Sequence, residues 1–258
     1  MSDVLLSTLD DGVLTLTLHR PDAMNAFDQE LNDAFIAALV DADANPEVRV
    51  VVVTGAGGRA FSAGADLKSV AAGKPTQGDP EWGSFGTRQR IAKPLIAAVD
   101  GIAFGGGFEL ALTADILVAS RSSRFALPEV KVGLYPGAGG ALRLVRQLPL
   151  KLAMLHMLTG DPIDAETAAA HGLVSRLTEP GEALAQAQAI AKTIAANAPL
   201  GVIGAKQVAY ELHEGRSADE ESAWRLNDDL FPQVLASDDA REGATAFAEK
   251  RAPRWTGR

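Results

Sequence analysis

The residues able to do chemistry in this 258-residue chain gather at two glycine-rich stretches. The first is Gly101-Ile-Ala-Phe-Gly-Gly-Gly-Phe-Glu109, in which only Phe108 separates Glu109 from three consecutive glycines. The second is Val132-Gly-Leu-Tyr-Pro-Gly-Ala-Gly-Gly140, preceded by Glu129. Glycines let the chain bend sharply and let another atom come close to the backbone. A run of good helix formers follows Glu109, so the first stretch opens a helix. The first N–H groups of a helix lack internal partners, and its dipole favours negative charge there. Such a turn can hold an anion, or an oxygen that becomes one, with Gly106 at its centre. Two glutamates in one partly dry cleft divide into an acid and a base, because burial and mutual repulsion separate their pKa values. The set suits proton transfer next to a carbonyl, with or without addition of water.

Other chemistries lose support. There is no cysteine, so thiolate catalysis, disulfides and Cys-based metal sites are excluded. His19, His156, His171 and His213 form no His-x-x-x-His pair, so no metal site is expected. No Gly-x-Ser-x-Gly elbow and no phosphate-binding Gly-x-x-x-x-Gly-Lys-Ser/Thr loop occurs. Gly55-Ala-Gly-Gly-Arg-Ala60 matches a dinucleotide fingerprint in letters, but Gly64 interrupts it and the next helix start falls at Asp66. A net charge of −9 argues against nucleic acid, while leaving room for one local basic pocket for a phosphate-bearing ligand. No signal-peptide pattern opens the chain and no apolar run reaches membrane-spanning length. A cytoplasmic protein without a membrane partner is expected.

Several elements must position these residues. Val4–Leu9 and Val13–Leu18 flank Asp10-Asp11-Gly12 as a β-hairpin. Asp28 N-caps a helix through Leu31, Phe35, Ile36 and Leu39, which Asn45-Pro46 breaks. Val48–Val53 and Pro94–Val99 read as buried strands. Ala71–Gly86, polar and rich in Gly and Pro, reads as a flap whose Trp82 and Phe85 line an apolar pocket. Asp115–Ser120 is a further strand, Arg124–Leu127 a short extended piece, and a helix with Leu142, Arg143, Leu144, Val145 and Arg146 follows the second glycine loop. Alternating strands and helices up to Arg176 define an α/β class. From Glu182 the pattern turns helical, with helices at Ala183–Asn197, Leu200–Glu214, Ser217–Ala236 and Asp238–Lys250. The composition shift near Asn197-Ala-Pro199 divides an α/β core, residues 1–197, from a helical C-terminal subdomain, residues 198–258. Leu226, Leu230 and Val234 make an apolar helix face that packs either on the main body or on another subunit.

Taken in order, Arg20-Pro21, Asn25-Ala26, Ala60-Phe-Ser-Ala-Gly-Ala-Asp-Leu-Lys68, Ala98-Val-Asp-Gly-Ile-Ala-Phe-Gly-Gly-Gly-Phe-Glu109, Phe125-Ala-Leu-Pro-Glu-Val130, Gly133–Gly140 and Glu242–Arg251 resemble the crotonase superfamily, in particular its enoyl-CoA hydratases. The resemblance spans nearly the whole chain. It implies a spiral of ββα turns and a C-terminal part that mediates homo-trimers, often paired into hexamers. It also implies an acyl-CoA thioester substrate, with coenzyme A part of that substrate and no separate cofactor. By motif match, the N–H groups of Ser62 and Gly106 would form an oxyanion hole, and Glu109 and Glu129 would be the two catalytic carboxylates. Ala60, Ala63, Gly64, Ala65, Asp66, Leu67 and Lys68 would meet CoA, with Phe231 and Lys250 helping from a neighbouring subunit. Trp82, Phe85, Pro136 and Gly137 would line the acyl pocket. Isomerases of the family generally dispense with one carboxylate, so the pair favours hydration of a trans-2-enoyl-CoA. Another crotonase reaction, such as double-bond isomerisation or a carnitinyl-CoA-type dehydration, and a non-catalytic CoA-binding role are the competing expectations.

Overall fold

The Asp11-Gly12 turn folds as its sequence demands. Both residues take positive φ, +47° and +79°, which matches the right-handed twist of paired strands. It joins β1 (Leu5–Asp10) to β2 (Val13–Leu18), with Asp10 opposite Val13. The computed structural model describes residues 3–66, 69 and 78–258. Leu67, Lys68, most of the helix expected from Asp66 and the first part of the expected flap lie outside the described residues.

The Asp28 carboxylate accepts the Leu31 N–H and caps α1 (Gln29–Ala44), which buries Leu31, Phe35, Ile36 and Leu39. The chain then winds between two sheets. β3 (Val50–Gly55), β5 (Leu95–Val99), β7 (Ile116–Ser120) and β10 (Arg176–Thr178) extend the larger sheet in the order β1-β2-β3-β5-β7-β10. All its pairings are parallel except β1 with β2. β4 (Ala60–Ser62), β6 (Ile102–Phe104), β8 (Arg124–Ala126) and β9 (Ile163–Asp164) form the smaller sheet in that order, with only β9 antiparallel. Each turn of chain thus lays one strand in each sheet: β3 then β4, β5 then β6, β7 then β8. Helix α2 (Gly106–Thr113) follows β6 directly. This is the expected ββα spiral. The dinucleotide fingerprint dissolves here, because its segment leads from β3 into strand β4 rather than into a helix.

Valines alternate across the larger sheet. Val51 and Val53 face the main core with Phe35, Phe61, Phe108 and Leu110, whereas Val50 and Val52 lie under α6. Before α6 come α3 (Gly140–Gln147), α4 (Leu150–Thr159) and α5 (Ala165–Ala170); α6 itself (Ala183–Ala195) presents Ala183, Ala187 and Ala191 to the sheet. Small residues at this spacing let the helix approach the strands closely.

The C-terminal segment departs from expectation in two places. The helix expected over Leu200–Glu214 is α7 (Pro199–Ala209), and it gives way to a hairpin of β11 (Leu212–His213) and β12 (Arg216–Ser217). The cause is the Glu214-Gly215 turn, with φ of +50° and +79°, a two-residue connection of hairpin type. The next helix starts not at Ser217 but at Glu221, after a 3-10 turn over Ala218–Glu220, and runs as α8 (Glu221–Leu235) through Pro232. α9 (Asp238–Glu249) closes the described elements, capped by Ser237. Leu226 and Leu230 on α8 are exposed in the single chain.

One buried side chain fixes the turn between β3 and β4. Asn25 is 0% exposed, takes φ +53°, and donates to the carbonyls of Ala56 (2.9 Å) and Ala60 (2.7 Å) while accepting the Arg20 N–H. Replacing it by Ala leaves two buried carbonyls without these partners. Asn25→Ala is expected to cost about 1–3 kcal/mol, read from the urea unfolding midpoint; an unchanged midpoint would show that the turn holds itself.

Candidate active site

β4 and β6 pair in parallel, and the backbones that follow them come into contact. Gly64 takes φ +86°, and a side chain there would fall 2.7 Å from the Gly106 nitrogen. A side chain at Gly107 would fall 2.3 Å from the Ser62 carbonyl oxygen. Only glycine permits both approaches, so the Ser62–Gly64 segment lies against the start of α2. Gly106 is the first residue of α2, and its N–H has no partner within the helix. Ser62 is wholly buried, and its Oγ accepts the Gly64 N–H at 3.1 Å. The two residues of the expected oxyanion hole are therefore neighbours.

The two glutamates come from successive turns of the spiral. Glu109 lies in the first turn of α2 and is 3% exposed. Its Oε1 accepts the N–H of Gly140, the first residue of α3, at 2.8 Å. Glu129 lies in the 3-10 turn Pro128–Val132 after β8, with Oε1 3.2 Å from where a side chain at Gly105 would begin. Its buried Oε2 has no hydrogen-bond partner among the described residues. Burial pushes the Glu109 carboxyl up to about 7, against the opposing pull of the Gly140 and Ala138 N–H groups and of Arg143. Burial and the neighbouring Glu109 charge raise Glu129 well above the ordinary carboxylate range. Two such carboxyls, close enough to feel one another, titrate as a pair rather than one by one.

Of the residues expected around the acyl chain, Phe85 and Pro136 border Gly106 and Gly140, whereas Trp82 lies in a cleft with Asp43, Gln89, Arg90 and Gly215. The Phe85 ring lies 2.4 Å from where a side chain at Gly106 would begin, and it meets Phe27 edge-on at 5.2 Å. Phe85 holds φ +60°, and its N–H donates to the buried Asn32 Oδ1 at 2.8 Å. Pro136 is buried and touches the Gly140 position that also touches Glu109. Trp82 is partly buried against the main core. Gly137 lies under the ring of Phe231, which also meets Tyr135 edge-on at 5.4 Å. Within one chain, then, α8 of the C-terminal segment leans on the second glycine loop. Lys250 caps α9 at its C-terminus with φ +54° and is exposed.

At the expected CoA segment, Ala60 and Gly64 are buried, and Ala63, Ala65 and Asp66 are half-buried. The Arg20 guanidinium meets Asp66 at 3.0 Å and Asp28 at 2.9 Å. Arg20 and Asn25 carried no role in the sequence reading, yet both brace this segment. Their place in the Arg20-Pro21 and Asn25-Ala26 motifs was the available signal. Among the described residues no group of three or more His, Asp or Glu could hold a metal ion, and no helix is long and apolar enough to cross a membrane.

This site and fold define a class: the chain belongs to the enoyl-CoA hydratase/isomerase family, which its residues 8–258 match, and it has the crotonase fold. Among particular relatives, it is 41% identical over 263 aligned positions to a carnitinyl-CoA dehydratase of Salmonella typhi, with all of both chains covered. A solved carnitinyl-CoA hydratase of Mycobacterium avium is 44% identical with a TM-score of 0.95, again over all of both chains. A solved enoyl-CoA hydratase of Mycobacterium tuberculosis H37Rv is 43% identical over the same full coverage, with a TM-score of 0.79. The expected enzyme class agrees with these names, since hydratases and dehydratases are both hydro-lyases.

The raised Glu109 pKa carries a stability consequence. A buried carboxyl that prefers its proton leaves stability untouched below about pH 4.5, and ionising it costs stability as pH rises toward 7. Glu109→Gln keeps an oxygen for the Gly140 N–H and removes that cost. The variant is expected to melt higher than wild type at pH 8 and nearly with it at pH 4.5, by scanning calorimetry. A Tm difference independent of pH would contradict the raised pKa.

Proposed function

We propose that this enzyme interconverts a trans-2-enoyl-CoA and its 3-hydroxyacyl-CoA, with Glu109 and Glu129 as the acid–base pair. The observation that carries this reading is the placement of two buried carboxyls beside the Ser62–Gly106 backbone, with no thiol or metal cluster called upon. The thioester oxygen would sit at the N–H groups of Ser62 and Gly106, which hold negative charge as C2 becomes enolate-like. Glu109 is the more easily ionised of the two, because it keeps backbone N–H donors and Arg143 nearby. It would take the proton of the attacking water as the oxygen adds to C3. Glu129, held protonated by burial and by the Glu109 charge, would give its proton to C2. Dehydration runs the same steps backwards.

CoA would run along Ala60–Asp66, with the adjoining Leu67 and Lys68, and Phe231 and Lys250 would assist from a neighbouring subunit of a trimer or hexamer. The acyl chain would lie among Trp82, Phe85, Pro136 and Gly137. No cofactor besides the substrate's own CoA enters the scheme. The names of the relatives favour one acyl group in particular, the carnitine-derived one, and the dehydration of carnitinyl-CoA is therefore the second reading of the same site.

The test follows the enoyl-thioester absorbance with crotonyl-CoA and with the dehydration product of carnitinyl-CoA. Wild type is expected to consume at least one of them. Glu109→Gln and Glu129→Gln are each expected to lower kcat by about 100- to 10,000-fold, with acyl-CoA binding retained. Turnover of the carnitine-derived substrate alone would select the second reading. Turnover near the wild-type rate in either variant would refute the two-carboxylate scheme.

A further inference from the structure

Behind Glu109 lies a buried charge cluster of which the hydration scheme uses only the nearby charge of Arg143. Arg143, on α3, is 1% exposed. Its Nε and Nη2 both donate to the Glu220 carboxylate, at 3.0 and 2.7 Å. Glu220 also accepts from Arg90 Nη2 at 3.1 Å and from the Trp224 indole N–H at 3.3 Å. One carboxylate from the C-terminal segment thus binds four donors. The two guanidiniums in turn seize the last residue of α2. Arg143 Nη1 donates to Thr113 Oγ1 at 3.1 Å, and Arg90 Nη1 donates to the Thr113 carbonyl at 2.6 Å. The Thr113 hydroxyl donates to the carbonyl of Glu109 itself, at 3.1 Å.

The connection closes on the active site. Arg143 stands one helical turn from Gly140, and Gly140 gives its N–H to the Glu109 carboxylate. The Arg143 guanidinium also lies 2.7 Å from where a side chain at Gly139 would begin. A planar fork gripped in this way orients the helix that carries it. We propose that Arg143, locked by Glu220, is a positioning residue: it fastens the start of α3 to the C-terminal end of α2 and so keeps the Gly140 N–H on the Glu109 carboxylate. Glu220 acts through Arg143 and Arg90, which makes the segment after α7 a working part of the acid–base site. For its kinetic arm the proposal rests on the hydratase reading.

The cluster also sets the charge that Glu109 faces. The charged groups toward Glu109 are Glu129 from the turn after β8 and Arg143 from α3. Arg90 and Glu220 stand at the Thr113 end of α2, with the Asp115–Lys206 pair, 2.8 Å apart, nearby. β4, β6 and Ser84–Gly86 contribute no charged side chain. Arg90, Arg143 and Glu220, all buried, together leave one positive charge over. Burial alone would raise the Glu220 carboxyl, but the two guanidiniums outweigh it and hold it down at about 2. The glutamate therefore stays ionised across the working pH range.

The experiment uses Arg143→Gln, Glu220→Gln and the double variant in the full-length enzyme. Glu220→Gln adds a net positive charge behind Glu109, so the limb of the kcat/KM profile that reports its ionisation moves to lower pH. Arg143→Gln removes one and moves the limb to higher pH. The double variant restores the balance, so its limb returns while kcat stays low. In each variant kcat is expected to fall roughly 10- to 100-fold with KM within about threefold. If Arg143→Gln does not fold, Arg143→Lys decides, with a wild-type limb and a depressed kcat expected. An unmoved limb with kcat within twofold of wild type overturns the proposal. A wild type inert on every enoyl-CoA offered would refute the hydratase reading alone. The 13C titration of the Glu109 carboxyl, assigned by its loss in Glu109→Gln, then reads the same opposite shifts without turnover, and a midpoint common to all variants overturns the proposal.

Discussion

A carboxylate that water scarcely reaches persists only where something else answers its charge. At Glu109 the answer is the start of α3, whose first N–H meets Oε1 at 2.8 Å. That contact obliges the second glycine loop to lie across the first turn of α2. The loop can lie there because β6 and β8 are adjacent parallel strands that deliver α2 and the Glu129 turn to one end of the smaller sheet. The same sheet pairs β4 with β6 and so brings Ser62 beside Gly106. Four positions of the candidate site, from three turns of chain, are thus set by one short parallel ladder and the glycines that let its ends touch.

Much of this was legible in the sequence, because it is written in local signals. The Asp-Gly hairpin, the Asp28 cap, the valine strands and the helix after three glycines each depend on residues within a few positions of one another. The ordered motifs carried the family and, with it, the spiral. Glu109 and Glu129, each written beside a glycine-rich stretch, come near one another because both follow strands of the same sheet.

What was not legible lies in partners far apart along the chain. Arg143 reads as one more polar residue in an amphipathic helix until its carboxylate, 77 positions later, is seen. Asn25 reads only as one letter of an ordered motif until it is found bonded to carbonyls that close the β3–β4 connection. The hairpin at Glu214-Gly215 escaped for the opposite reason. Leu200–Glu214 carries good helix propensity, but the turn needs two residues at positive φ, and glutamate seldom advertises one.

The position of Glu220 in the chain has a temporal meaning. A ribosome makes Arg90, then Arg143, then Glu220, and domains begin to fold as the N-terminal part emerges. Until the last stretch appears, Arg90 and Arg143 lack the carboxylate that binds them both, and burying them means burying charge without that partner. A chain cut short of Glu220 therefore loses the carboxylate of this buried cluster as well as its end.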